Sequence, residues 1–125
     1  MGIFDSIFKP DTKPLWPGIT IQSKADFELL IENSFIRPQL IFKHSTRCSI
    51  SRYVLSDFIA HFTFSSDELE AHYLDLLSYR EISNQIAEQL EVIHQSPQIL
   101  LIKNGKAVVY ASHEGINKIQ LSIYL

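Results

Sequence analysis

Short apolar runs alternate with helical patterns along this chain, and this alternation most constrains its fold. Residues 19–21, 40–43 and 73–77 each predict a strand, and a helical pattern follows each of them. A strand, a helix and a further strand in succession favour a parallel crossover connection. The first part of the chain therefore predicts parallel strands with helices packed on them.

A hairpin signal follows near the end of the chain. Residues 99–103 and 107–110 predict two strands, and Asn104-Gly105 between them is a residue pair that tight antiparallel turns favour. The hairpin adds an antiparallel edge to the parallel strands, so the sheet is expected to be mixed. In such a sheet, a functional site is expected at the carboxyl end of a central strand.

The helices have their own signals. Ser23 predicts the start of the first helix, and Ser78 with Glu81 forms a Ser-x-x-Glu capping box before a later one. The last helix is predicted from three isoleucines at helical spacing. These are Ile116, Ile119 and Ile123. We therefore expect an α/β fold of order βαβαβαββα, a central mixed β-sheet flanked by helices on both faces.

Length and composition limit the class of protein. The 125 residues predict one domain over residues 16–125, preceded by an amphipathic segment and linker over residues 1–15. The net charge of −3 argues against nucleic-acid binding, and no segment is apolar enough to predict a transmembrane helix. Five histidines lack zinc-type spacing, so no metal site is expected. A single cysteine excludes an internal disulfide and suits a reducing cytoplasm.

That single cysteine, Cys48, lies where the second predicted strand gives way to a helix running to about Phe62. A lone cysteine is most often a small buried hydrophobe, but this one has polar neighbours. They are Ser45, Thr46, Arg47, Ser49 and Ser51. The N–H groups of a helix start and the charge of Arg47 favour the thiolate, and the hydroxyls of Thr46 and Ser51 are candidate donors to the sulfur. Cys48 is therefore predicted to be reactive.

Three further residues have alternative interpretations. His44 precedes the cysteine loop and His113 follows the last strand, so either could approach the sulfur as a base or be structural. Asp75 interrupts an apolar strand. A buried carboxylate needs a partner, so Asp75 is either a proton acceptor near the sulfur or a residue at the exposed strand edge.

Four separated blocks carry a family resemblance. They are residues 42–51 (Phe-Lys-His-Ser-Thr-Arg-Cys-Ser-Ile-Ser), residues 74–76 with 79–84, residues 94–98 and residues 112–113. Together they resemble the bacillithiol-system YtxJ family, the monothiol bacilliredoxins, over roughly residues 16–125. The resemblance implies a thioredoxin-like fold in which Cys48 is the redox-active cysteine. It also implies that Pro97 is a cis-proline facing Cys48 and that the Ser96 backbone lines the substrate groove.

The same resemblance implies a function. Ser51 stands where thioredoxin has a second cysteine, so only one-cysteine exchange remains. Cys48 would take a small thiol, bacillithiol, from S-thiolated client proteins, and a second small thiol or a disulfide reductase would regenerate it. Bacillithiol is then a co-substrate, with no bound cofactor, and its acidic groups would suit a positive patch of Lys43 and Arg47. Two alternatives stay open: a non-catalytic binding module using the Pro97 groove, and a sensor whose cysteine is oxidised by peroxide.

Overall fold

The computed structural model describes residues 16–125, so the amphipathic segment and linker predicted for residues 1–15 lie outside the described residues. Within this range the predicted order of strands and α-helices is present up to the last strand. The strands are β1 (Ile19–Thr20), β2 (Gln39–His44), β3 (Glu70–Asp75), β4 (Gln98–Lys103) and β5 (Lys106–Ser112). The helices are α1 (Lys24–Asn33), α2 (Ser49–Ala60) and α3 (Arg80–Leu90), and two 3₁₀ helices follow at His113–Lys118 and Leu121–Tyr124.

The strands form one mixed sheet in the order β1-β3-β2-β4-β5. β2 is parallel to β3 and antiparallel to β4, and β4 is antiparallel to β5. The predicted hairpin turn is confirmed, because both Asn104 (φ 53°) and Gly105 (φ 78°) have the positive φ that a tight type I′ turn requires. The α/β class and the mixed sheet follow the sequence prediction.

Helices cover both faces of the sheet, as predicted. All six residues of β2 are buried. Because side chains alternate along a strand, Phe42 packs into the layer under α2, whereas Ile41 packs into the layer formed with α1 and α3. β2 therefore lies at the centre of the molecule, with an apolar layer on each side.

The predicted final helix is wrong, because the chain forms two 3₁₀ helices there instead of one α-helix. Ile119 has an extended backbone (φ −80°, ψ 133°) that separates them. This break brings Leu121 into the core and leaves Ile123 exposed. The end of the chain therefore packs against α2 and the hairpin as two short 3₁₀ helices rather than as one α-helix with a continuous apolar face.

The capping box is also wrong. The hydroxyl of Ser78 donates to the Asp75 carboxylate at 3.0 Å, and Tyr79 takes the position before α3 without a side-chain cap. The third strand lies earlier than predicted, because its pairing with β2 runs from Gln39–Glu70 to His44–Asp75. Strand pairing therefore overrode the local pattern in residues 73–79.

The β1 edge depends on a close backbone approach at Gly18. A Cβ atom there would overlap the backbone carbonyl of Ala71 on β3. The same carbonyl accepts a hydrogen bond from Trp16 Nε1 at 3.3 Å, and the Trp16 ring stacks on Phe58 of α2. The absence of a side chain at Gly18 thus lets the segment with Trp16 close over this edge.

We expect Gly18→Ala to lower the free energy of unfolding by about 1–3 kcal/mol, because the added methyl group forces β1 away from β3. Gly115→Ala is the matched control, since a Cβ at Gly115 would make only an ordinary 3.9 Å contact with Ala111. The control should change stability by less than about 0.5 kcal/mol. Urea unfolding followed by circular dichroism measures both, and equal effects of the two substitutions would contradict the prediction.

Candidate active site

Strand register brings four loops to one edge of the sheet. The carboxyl end of β2 pairs with that of β3 through His44 and Asp75, and Lys43 pairs with Gln98 at the start of β4. Gln98 also pairs with Ser112 at the end of β5. The loop with Cys48, the turn after Asp75, the Ser96–Pro97 segment and His113 therefore leave the sheet at the same edge.

Cys48 is the residue immediately before α2 and has an extended backbone (φ −104°, ψ 120°). Its N–H donates to the Ser45 carbonyl at 3.2 Å, and its carbonyl accepts from the Arg52 N–H at 3.1 Å. These bonds fix the loop to the helix, and the side chain is half-buried. A thiol here is accessible on one side and adjoins the positive end of the α2 dipole.

The other predicted loop residues divide into two groups. Thr46, Arg47 and Ser49 are exposed beside the cysteine. Ser51 is fully buried, and its Oγ accepts from the Ser45 N–H at 3.1 Å and lies 2.7 Å from His44 Nδ1. Ser51 therefore holds the loop, because its hydroxyl is already shared between the Ser45 N–H and His44 Nδ1.

The Ser96–Pro97 segment forms the adjoining part of the edge. The Ser96–Pro97 peptide bond is cis, and Pro97 is buried. The Pro97 carbonyl accepts from the His113 N–H at 3.0 Å, which ties this segment to the end of β5. The register places the segment beside the cysteine loop.

Lys43 does not contribute to a surface patch with Arg47, and that expectation is wrong. The Lys43 side chain is completely buried, with its Nζ donating to the Ser83 carbonyl at 3.1 Å and lying 3.4 Å from His94 Nδ1. Burial lowers the pKa of Lys43 to about 8. The only sequence signal for this role was a cation inside the run that predicted the second strand.

Sequence reasoning also missed Gln98 and His94. Gln98 pairs with Lys43 across the sheet, and its Nε2 donates to the Ile93 carbonyl at 3.0 Å. The pKa of His94 is lowered first by burial, then by Lys43 and Arg80. Lys43 on β2 and Gln98 on β4 therefore contact His94 and Ile93, the residues that lead into Pro97.

Two of the three residues with open alternatives, His44 and Asp75, have structural side-chain partners. His44 is buried against Ser51, and its pKa is lowered mainly by burial. Asp75 is half-buried at the end of β3 and accepts from the Leu77 N–H and the Ser78 hydroxyl at 3.2 and 3.0 Å. His113 is exposed with φ 55°. Asp75 thus organises a turn, and His113 is the histidine of this edge that faces solvent.

Residues 16–125 contain no group of three histidine, cysteine or carboxylate side chains placed to hold a metal ion. In the same part of the chain, no helix has the length and apolarity needed to span a bilayer.

We expect Ser51→Ala to lower the free energy of unfolding by about 1–3 kcal/mol, because it leaves the buried His44 Nδ1 and the Ser45 N–H without their shared partner. Ser56→Ala on the exposed face of the same helix is the matched control and should have little effect. Chemical denaturation measures both. A Ser51→Ala protein as stable as the control would show that the bonds to Ser51 do not hold the loop.

Lys43→Met should remove a rise in stability between about pH 8 and 10.5. Below pH 8 both folded and unfolded chains carry the Lys43 proton, and the cost of burying the charge is fully present. Between the folded-state pKa of about 8 and the ordinary lysine pKa of 10.5, only the unfolded chain binds that proton, so the free energy of unfolding rises with pH.

The measurement is the difference in unfolding free energy between the natural protein and Lys43→Met across this range. Taking the difference cancels the opposite effect of Tyr73, whose pKa burial raises to about 12. A difference that stays constant from pH 7 to about 10.5 would contradict the lowered pKa of Lys43.

Comparison with known proteins agrees with this geometry. The family described as monothiol bacilliredoxin BrxC matches residues 19–121. A solved structure described as a candidate oxidoreductase with a thioredoxin fold is 31% identical, with 79% of this chain and 85% of that chain covered and a TM-score of 0.68.

Two thioredoxins show the fold alone. Thioredoxin from Malassezia sympodialis (Mala s 13) is 19% identical, with 92% of this chain and 95% of that chain covered and a TM-score of 0.67. Thioredoxin NaTrxh from Nicotiana alata is 17% identical, with coverage of 92% and 96% and a TM-score of 0.68. The thioredoxin-like fold expected from the sequence is therefore confirmed. The chain belongs to the monothiol bacilliredoxin family, whose thioredoxin-like fold and one cysteine are those of a thiol oxidoreductase.

Proposed function

We propose that this protein removes a small thiol, bacillithiol or a close analogue, from protein mixed disulfides through Cys48 alone. The observation that carries the proposal is the position of the only cysteine, half-buried at the start of α2, in a chain of the monothiol bacilliredoxin family. A half-buried sulfur is open to attack a disulfide from one side, and its place just before α2 puts it beside the unpaired N–H groups of the helix start.

The exchange takes place in two steps. The Cys48 thiolate attacks the sulfur of the small thiol, so a new disulfide forms between Cys48 and the small thiol and the client leaves as a thiolate. A second small-thiol thiolate then attacks the small-thiol sulfur bound to Cys48, which releases the Cys48 thiolate and a small-thiol dimer. Each step breaks one disulfide and forms another, so no external oxidant is required.

The surroundings of Cys48 support transfer of the small thiol from the client to Cys48 and then to a second small thiol. Ser51, which stands one turn along α2, is a buried serine bonded to the loop, so no neighbouring thiol can release the small thiol by forming an internal disulfide. Thr46, Arg47 and Ser49 are exposed around the sulfur and are proposed to contact the bound thiol. Ser96 and Pro97 are proposed to hold the client chain through the backbone.

The partners follow from the chemistry. The clients are proteins carrying a small thiol on a cysteine, and regeneration uses the free small thiol or a disulfide reductase. Such a cycle needs a reducing pool of thiols, so we place the reaction in the cytoplasm. Arg47 would attract a small thiol that carries acidic groups.

We expect Cys48→Ser to abolish transfer of bacillithiol from a single-cysteine client protein. Intact-mass spectrometry follows both chains, and the natural protein should gain the mass of one bacillithiol while the client loses it. The matched control is the double variant Cys48→Ser, Ser66→Cys, which moves the one thiol to an exposed turn. It should transfer no faster than free cysteine, because Ser66 lies away from the helix start and from the Ser96–Pro97 segment.

Other results would point to other functions. Equal transfer by the relocated thiol would show that the site around Cys48 adds nothing to the exchange. Client binding that survives Cys48→Ser without transfer would favour a binding module. Rapid oxidation of Cys48 by peroxide in the absence of a small thiol, together with no transfer, would favour a sensor.

A further inference from the structure

A cleft of about 800 Å³ opens beside the cysteine loop, between α2 and the edge of the sheet formed by β1 and β3. Thr46 of the loop, Arg52 of α2 and Asp75 of β3 line it. Cys48 itself does not line the cleft. Thr46 lies two residues before Cys48, and the Arg52 N–H donates to the Cys48 carbonyl at 3.1 Å. The cleft therefore ends beside the cysteine and extends away from it along α2. Its volume falls within the usual range for small-molecule sites.

The cleft carries one cation and one anion on different elements. Arg52 is exposed and takes part in neither of the ion pairs formed among residues 16–125. Asp75 keeps acceptor capacity beyond its bonds to Leu77 and Ser78, since a carboxylate can accept about four hydrogen bonds. Both charges act on the buried His44, because Asp75 raises its pKa and Arg52 lowers it.

An apolar wall completes the cleft. Trp16 and Tyr73 lie with their ring centroids 5.8 Å apart, and Leu55 and Ile59 of α2 lie on the same lining. Aromatic faces of this kind cover the carbon skeleton of a sugar or an alkyl chain, while hydroxyl groups remain free to bind water or polar side chains. The cleft thus combines separated opposite charges with an apolar surface.

We propose that this cleft binds the small thiol itself, as a cysteine-derived zwitterion with its carboxylate on Arg52 and its ammonium on Asp75. The carbon skeleton packs on Trp16 and Tyr73, and the sulfur points past Thr46 toward Cys48. This assignment rests on the proposed exchange at Cys48 and adds the site and the charged residues that bind its small-thiol substrate. It also separates the two substrates, because the client then uses the Ser96–Pro97 side and the small thiol uses the α2 side.

Binding is tested with the S-methyl ether of bacillithiol, which cannot exchange disulfides. Trp16 is the only tryptophan of the chain and lines the cleft, so its fluorescence reports occupancy. Arg52→Gln should weaken binding about tenfold, the effect of losing one charge-assisted hydrogen bond. Asp75→Asn should weaken it as well, while its side-chain oxygen still accepts from Leu77. The matched control, Arg37→Gln, makes the same charge change at the opposite end of β2 and should leave affinity unchanged.

A kinetic comparison tests the same assignment during exchange. Arg52→Gln should raise KM about tenfold for a client disulfide with bacillithiol and leave that for the uncharged 2-mercaptoethanol disulfide unchanged. Equal loss on both disulfides, or no Arg52-dependent binding of the S-methyl ether, would overturn the cleft assignment while Cys48-dependent transfer still supported the proposed function. Arg52-dependent binding in a protein that transfers no thiol would retain the ligand site and refute the exchange reaction.

Discussion

The pairing of β2 with strands on both sides is the constraint on which the rest of the structure depends. Every residue of β2 is buried, and its backbone bonds to β3 on one side and to β4 on the other. A strand held on both edges and both faces cannot shift its register without exposing its apolar side chains. The loop that leaves its carboxyl end, with Cys48, therefore starts from a fixed point.

Polar side chains inside β2 join this strand to distant parts of the chain. Gln39 Oε1 lies 2.7 Å from His72 Nε2, and burial lowers the pKa of His72 to about 4. His44 bonds to α2 through Ser51, and Lys43 bonds to the Ser83 carbonyl of α3. Each of these groups costs free energy to bury and recovers it only when its partner is in place. The buried polar residues thus specify one arrangement of the helices around the strand.

In the proposed mechanism, the same arrangement divides the end of the sheet around Cys48 between two substrates. On one side of the cysteine loop, Pro97 bonds to the His113 N–H, and Gln98 bonds to Ile93 in the stretch that leads into this segment. On the other side, α2 and the β1–β3 edge enclose a cleft with Arg52 and Asp75. In that mechanism the client leaves while the small thiol remains attached to Cys48, and two separate binding sites fit that sequence of events. In the proposed mechanism, the choice between the two sulfurs of a mixed disulfide is made by where each half binds.

The sequence by itself determined the α/β class, the mixed sheet, the hairpin turn and the position of Cys48 where β2 gives way to α2, because periodicity, Asn104-Gly105 and a single cysteine are local signals. Four short sequence blocks likewise indicated the monothiol bacilliredoxin family, and that family is confirmed. Only the tertiary structure decided the partners of Ser51, Lys43 and Asp75. Ser51 and Lys43 bond to groups on other elements, and Asp75 bonds within a turn that exists only because β3 ends where its pairing with β2 ends. The cleft, too, exists only after α2 packs beside β1 and β3, since its charges come from residues far apart in sequence.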